Sequence, residues 1–200
     1  MPIGRTVGAV VTGGAGLMAR WVGRRGDTVV IVFDAGEIAV LRNLAVEVDA
    51  LLRADPAGAG RDPFHDRLFP RAYLDPTEDR AETGWQEAVH GDLVRSRTDA
   101  LAALAATLDA GRARRKGETE VALTLEEADR WAGALNDARL ALGVALGVTE
   151  DMPDPSPSDP EAGRFAVYQW LTWLQGSIVD ALLGELPGGP PDADDFTAAP

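Results

Sequence analysis

Residues 8–34 read GAVVTGGAGLMARWVGRRGDTVVIVFD, and two folds compete for them. Thr12-Gly13-Gly14-Ala15-Gly16 after two valines has the look of a phosphate-binding turn. Asp34, closing an apolar strand, stands where a ribose-binding acid would be. Three departures decide against a dinucleotide-binding unit. The third glycine position of that fingerprint is Ala19, residues 17–25 alternate with the period of a strand, and no further strand-helix-strand units follow. Leu17, Ala19 and Trp21 fall on one side, with Arg20, Val22 and Arg24 on the other. Residues 27–33 are β-branched and aromatic, and Gly23-Arg24-Arg25-Gly26 between the runs supplies turn chemistry. The segment 17–33 is therefore expected to be a β-hairpin, with residues 1–16 a flexible arm. Asp34 stands three residues before Glu37 and reads as the cap of a helix, not as a nucleotide ligand.

Working outward, that helix buries Ile38, Leu41, Leu44, Ala45, Val48, Leu51 and Leu52 on one face. Residues 54–75 form a Pro/Gly loop whose Phe64, Leu68, Phe69 and Tyr73 are expected to pack on the core. Asp75-Pro76-Thr77-Glu78 is a helix start, and the periodicity runs on through Trp85, Val89, Leu93, Leu101 and Leu104 to Leu108, with Gly84 or Gly91 as places to bend or split it. GRARRKG (111–117) is a basic turn, and Thr119–Leu123 is a candidate third strand. Thr124 with Glu127 makes a further capping box, for a helix to about Gly147 with Ala128, Trp131, Leu135, Ala138, Leu142 and Ala145 buried. Residues 149–163 are an acidic, Pro-rich linker. A last helix covers about 164–186, and 187–200 is an acidic tail expected to be disordered. The fold expected is mostly α: one helical domain over 1–186, a bundle of four to five helices with a small N-terminal hairpin.

The chain has 200 residues, no cysteine and a net charge of −13, so disulfides, thiolate metal sites and catalytic thiols are excluded. The charge is uneven, because the first 33 residues, with four Arg against Asp27, are net +3 and the remainder carries −16. The early apolar run is cut by Thr12-Gly13-Gly14 without a cleavage site, no stretch reaches the ~20 apolar residues of a membrane span, and a cytoplasmic protein is expected.

Candidate chemistry is sparse. His65 and His90, the only histidines, do not stand at metal-ligand spacing on one helix, and no Gly-x-Ser-x-Gly elbow exists. Glu126-Glu127 reads as helix-start charge. No catalytic residue, metal or cofactor is implied, and the chain is expected not to be an enzyme. Two surfaces carry the remaining candidates. Arg20, Arg24 and Arg25 on the hairpin, with Arg112, Arg114, Arg115 and Lys116 in the basic turn, could meet at one end of a small sheet and neutralise nucleic-acid phosphates. Trp170 and Trp173, one turn apart, offer either extra core or a subunit interface, and with it a homodimer. In ALNDARLALG (134–143), Asn136, Asp137 and Arg139 sit mid-helix: either Asn136 and Arg139 line a site, or the polar residues hydrogen-bond across to a close helix neighbour or face water.

The segments LRNLAVEVDALL (41–52), DPFHDRLFPRAYLD (62–75), TLEEADRWAGALNDARLALGVALGVTED (124–151) and YQWLTWLQGSIVDALL (168–183) together resemble an actinobacterial family of unknown function labelled after the oxidative-stress transcriptional regulator AosR. The resemblance implies a regulator linked to DNA or the transcription machinery, with an adaptor to Clp-type proteolysis as the alternative. Thiol-based sensing does not carry over, since there is no cysteine to perform it.

Overall fold

The computed structural model describes residues 21–54, 63–152, 155, 156 and 158–184. Strands β1 (Trp21–Arg25) and β2 (Thr28–Phe33) form the hairpin, with Arg25 opposite Thr28 around a two-residue loop, Gly26-Asp27. Gly26 has φ +59° and Asp27 does not have a positive φ, the combination a type II′ turn requires. Gly23, expected in the turn, instead lies within β1. The Trp21 ring folds over it, its atoms 2.1 to 2.9 Å from where a Cβ would stand. Residues 1–20, which include the arm and Arg20, lie outside the described residues.

The third strand is present: β4 (Thr119–Thr124) pairs antiparallel with the far side of β2, and the two-residue β3 (Arg112–Ala113) adds to β4, giving the order β1-β2-β4-β3. β2 is thus interior, and Val29 to Phe33 are buried without a break. Val29, Ile31 and Phe33 share the core with Val121 and Leu123 of β4 and the helices.

Five helices follow the pattern of the sequence. Helix α1 (Ala35–Leu52) opens on the Asp34 capping box: the Asp34 carboxylate accepts from the Glu37 N–H at 2.9 Å, and the Glu37 carboxylate accepts from the Asp34 N–H at 2.8 Å. The loop after it contains a short helix, α2 (Pro63–Leu68), which buries Phe64 and Leu68 and delivers Phe69 to the core. Tyr73 does not join them; it is exposed, because Glu82 holds the loop from outside by accepting from the Ala72 and Tyr73 N–H groups.

After a 3₁₀ turn at Pro76–Glu78, α3 (Asp79–Asp109) runs unbroken for 31 residues. Gly84 and Gly91 lie on its exposed side with nothing crowding them, so no packing force bends the helix there. Trp85, Val89 and Leu93 are only half-buried, and the deeply packed part of α3 is its last third, Leu101, Leu104 and Leu108.

Helix α4 (Leu125–Leu146) begins at the Thr124–Glu127 capping box and ends at Gly147, φ +64°, where the Val148 N–H reaches the Gly143 carbonyl at 2.9 Å and the Gly147 N–H that of Val144 at 3.1 Å. It buries Ala134, Ala138 and Ala141 with Trp131, Leu135 and Leu142, whereas Ala145, in the last turn, is exposed. Helix α5 (Ala162–Leu183) packs along α4, and Gly143 leaves room for the Tyr168 ring, which would stand 3.2 Å from a Cβ there. The tail 187–200 lies outside the described residues, as does part of the linker.

Two tryptophans differ in one respect that stability can read. The Trp131 indole N–H donates to Thr107 Oγ1 at 2.8 Å, whereas the buried Trp170 N–H finds no acceptor among the described residues. Trp131→Phe removes a satisfied donor and takes from the Thr107 hydroxyl the one bond it accepts, while its own donation to the Ala103 and Leu104 carbonyls remains; Trp170→Phe removes an orphan. In urea unfolding, Trp170→Phe is expected to cost less than Trp131→Phe by about 1–3 kcal/mol. Equal losses would show that ring volume alone governs both positions.

Candidate functional site

The register separates the two basic groups that the sequence allowed at one end of the sheet. Thr28, beside the hairpin loop, pairs with Thr124, while Thr119, beside the basic turn, pairs with Phe33. Arg25 and the 115–117 turn therefore stand at opposite ends of β2, about 17 Å apart at ~3.4 Å per residue. Nor are all these side chains free. Arg24 closes the last helix: its guanidinium donates to the Leu182 carbonyl at 3.1 Å, the Ala181 carbonyl at 3.3 Å and the Gly26 carbonyl at 2.7 Å. A cation at the negative end of a helix is stabilising. Arg112 and Arg114 both pair with Glu120, at 3.2 and 3.7 Å. Arg25, Arg115 and Lys116 are exposed.

The tryptophans on α5 also part ways. Trp170 is buried in the core, whereas Trp173 is 43% exposed, and Val179 and Leu183 are exposed further along the helix. Residues 165–179 contain no charged side chain, which makes this face unusual on so acidic a chain.

The densest polar cluster is one the sequence did not reveal. Helix α2 brings His65 and Phe69 against His90 of α3, with ring centroids 5.1 Å apart for the two histidines, 4.8 Å for His65–Phe69 and 4.7 Å for Phe69–His90. Arg97 lies over the same Phe69 ring at 5.3 Å, donates to the Leu68 carbonyl at 3.1 Å and pairs with Asp137 of α4. One guanidinium thus joins α2, α3 and α4. Asp137 is 3% exposed; its burial raises the carboxyl pKa, and Arg97 pulls it back down. The only local sign in the sequence was His65 one turn before Phe69, a spacing that puts both rings on one face.

Two cavities border this cluster. A groove of about 850 Å³ between α3 and α4 is lined by charges that are largely paired, Arg95 with Asp92, Arg97 with Asp137 and Arg130 with Glu126. A second, of about 550 Å³, lies at the end of α4 and is lined by Arg67, Arg139, Gly143 and Tyr168 among others. Of the ALNDARLALG residues, Asp137 bonds across to a neighbouring helix, while Asn136 accepts from Arg139 at 3.2 Å beside these cavities. Among the described residues no three His, Asp or Glu side chains are grouped to hold a metal ion, and no helix is long and apolar enough to cross a membrane.

The family model described as Domain of unknown function (DUF2017) matches residues 18–182, which span every element above but the last residue of α5. The chain belongs to this family. It is 32% identical over 150 residues to an AosR protein of Mycobacterium leprae, a match covering 69% of this chain and 66% of that protein. It is 48% identical over 63 residues to the proteins named Oxidative stress regulator AosR of Mycobacterium bovis and Mycobacterium tuberculosis, covering 31% of this chain and 29% of each of them. The chain thus aligns with less than two thirds of these relatives' length. No solved structure gives a significant match.

The histidine cluster generates a pH test. Burial first, and the nearby His65 second, lower the His90 pKa below its ordinary value of 6.5. The folded state therefore favours neutral His90. Its contribution is fully present above pH 6.5 and is lost as pH falls through the depressed folded-state value. Thermal unfolding from pH 7.5 down to 5 should show this loss in the wild type and a flatter profile in His90→Gln. Parallel profiles would mean that other groups set the acid limb.

Proposed function

We propose that this chain is a non-enzymatic regulatory protein of the oxidative-stress response that acts on transcription through protein contacts. The observation that carries the reading is the 48% identity to proteins named as oxidative stress regulators, within a family match covering nearly the whole described fold. Action through protein contacts is favoured by the basic side chains: those still exposed stand at two ends of a short sheet, on a chain of net charge −13. Any direct contact with DNA would then be weak and lost with salt. The outer side of α5, free of charge from 165 to 179 and carrying exposed Trp173, is the candidate surface for a homodimer or a partner. The reading places the protein in the cytoplasm and assigns it no catalytic residue, metal or cofactor.

The test is capture of partners from an actinobacterial lysate with and without nuclease. Polymerase subunits retained after nuclease treatment support the reading. Clp components without polymerase would replace it with an adaptor to proteolysis, and loss of all partners with nuclease would point to DNA.

The trigger follows from composition. Peroxide sensing ordinarily runs through a thiolate that becomes a sulfenic acid or disulfide. This chain offers only the thioethers of Met1, Met18 and Met152, which cannot cross-link. Stress is then expected to reach it through abundance, proteolysis or a partner. Moderate peroxide should leave the oligomeric state and helix content of the purified chain unchanged, as ultracentrifugation and circular dichroism would show. A change reversed by reductant would refute this.

A further inference from the structure

We propose that the cavity at the end of α4 is a binding site for a small amphipathic anion, an apolar body ending in one carboxylate. The inference does not depend on the regulatory reading. It starts from the distribution of charge. Arginines across the described fold are engaged by carboxylates: Arg42 by Asp109, Arg53 by Asp49, Arg71 by Asp79, Arg164 by Glu161 and others. With 32 acids against 19 basic residues, such pairing is expected. Five arginines lack an ion-pair partner among the described residues, Arg25, Arg67, Arg80, Arg115 and Arg139, and of these Arg67 and Arg139 line this one cavity.

Arg139 is also incompletely satisfied. One terminal nitrogen donates to Asn136 Oδ1 at 3.2 Å, while its Nε is buried with no hydrogen-bond partner. Buried guanidinium N–H groups are ordinarily bonded, and an oxyanion can take two of them side by side. The arginine thus lacks the kind of acceptor that a carboxylate supplies.

The remaining walls define the rest of the ligand. Leu140, Val144, Val148 and the Tyr168 ring give an apolar side. Gly143 keeps that side open, since a Cβ there would stand 3.2 Å from the ring. The volume of about 550 Å³ suits a small molecule, for which pockets run from roughly 300 to 1,000 Å³. Charge sets the valence. Glu150, exposed, also lines the cavity, so two arginines face one acid, and the nearby C-terminal end of α4 carries a partial negative charge. A net of one positive charge matches a monoanion and disfavours polyphosphates.

Phenylacetate is the probe, with phenylacetamide as its neutral isostere and inorganic phosphate as an anion without an apolar body. In ¹H–¹⁵N titrations of the full chain at constant ionic strength, phenylacetate is expected to shift the amides of Gly143, Val148 and Thr149 saturably. Phenylacetamide and phosphate should each bind at least about tenfold more weakly. Arg139→Gln should weaken phenylacetate by a similar factor. Should that variant fail to fold, Arg67→Gln, on an exposed side chain, carries the same test. The proposal is overturned if phenylacetate gives no saturable shift, if the amide or phosphate binds as well, or if a folded arginine variant binds unchanged.

Discussion

The indole of Trp131 is the point from which the architecture is fixed. It is fully buried, so its single N–H must find an acceptor inside the protein. Thr107 of α3 provides one, and Thr107 is itself satisfied by donating to the carbonyls of Ala103 and Leu104. The ring also stacks on Phe33 of β2, centroids 6.0 Å apart. A single residue of α4 thereby sets that helix against both the sheet and α3. The register of β2 follows, because a slip by one residue would turn Phe33, Ile31 and Val29 to the other face and leave the indole without its neighbour. The capping boxes at Asp34 and Thr124 then place the starts of α1 and α4 immediately after β2 and β4.

Arginine performs a second kind of fixing, between elements distant in sequence. Arg24 of β1 closes α5 from the other end of the chain, so the basic character of the first 33 residues has a structural use that composition alone suggested was for a partner. Arg97 does the same for α2, holding the Leu68 carbonyl, the Phe69 ring and Asp137. The planar guanidinium suits both tasks, since it offers several donors in fixed directions and a flat face for an aromatic ring. A lysine at either position could reach one acceptor but could not span three.

What the sequence made legible was local. The hairpin, both capping boxes, the face of α1 and the helical stretch around Trp131 are set by residues within a turn or two of each other, and all are present. The misreadings have a common cause in distance. Whether Gly23 was a turn or a strand residue depended on where the Trp21 ring settled. The basic groups fell at opposite ends because the side of the sheet on which β4 entered, and its direction, were not written in either segment. The Arg97–Asp137 pair joins residues 40 apart, and the His65–His90 contact needed α2 to exist inside what read as a loop. Tyr73 shows the converse: its aromatic ring suggested burial, but the Glu82 carboxylate captured the backbone beside it and held the loop outward.

These two modes of attachment differ in how they respond to pH. The Trp131 anchor, an indole on a hydroxyl and a phenyl ring, itself contains no titratable group. The docking of α2 rests on Phe69 among two imidazoles and a guanidinium, opposite a buried carboxylate. The two shifted groups there act in opposite senses. Asp137, whose pKa is raised, contributes stability that is present below its unfolded value of 3.8 and lost as pH rises through its folded value, whereas His90, whose pKa is lowered, contributes above 6.5. Burial works against the charged form of Asp137, and Arg97 offsets that cost. As pH falls through the lowered folded-state value of His90, a positive charge would arise close to that same arginine, across the Phe69 ring that both contact. A charge on His90 therefore works against the ring contacts that hold α2 on α3, while the Trp131 indole, without a titratable partner, is untouched by it.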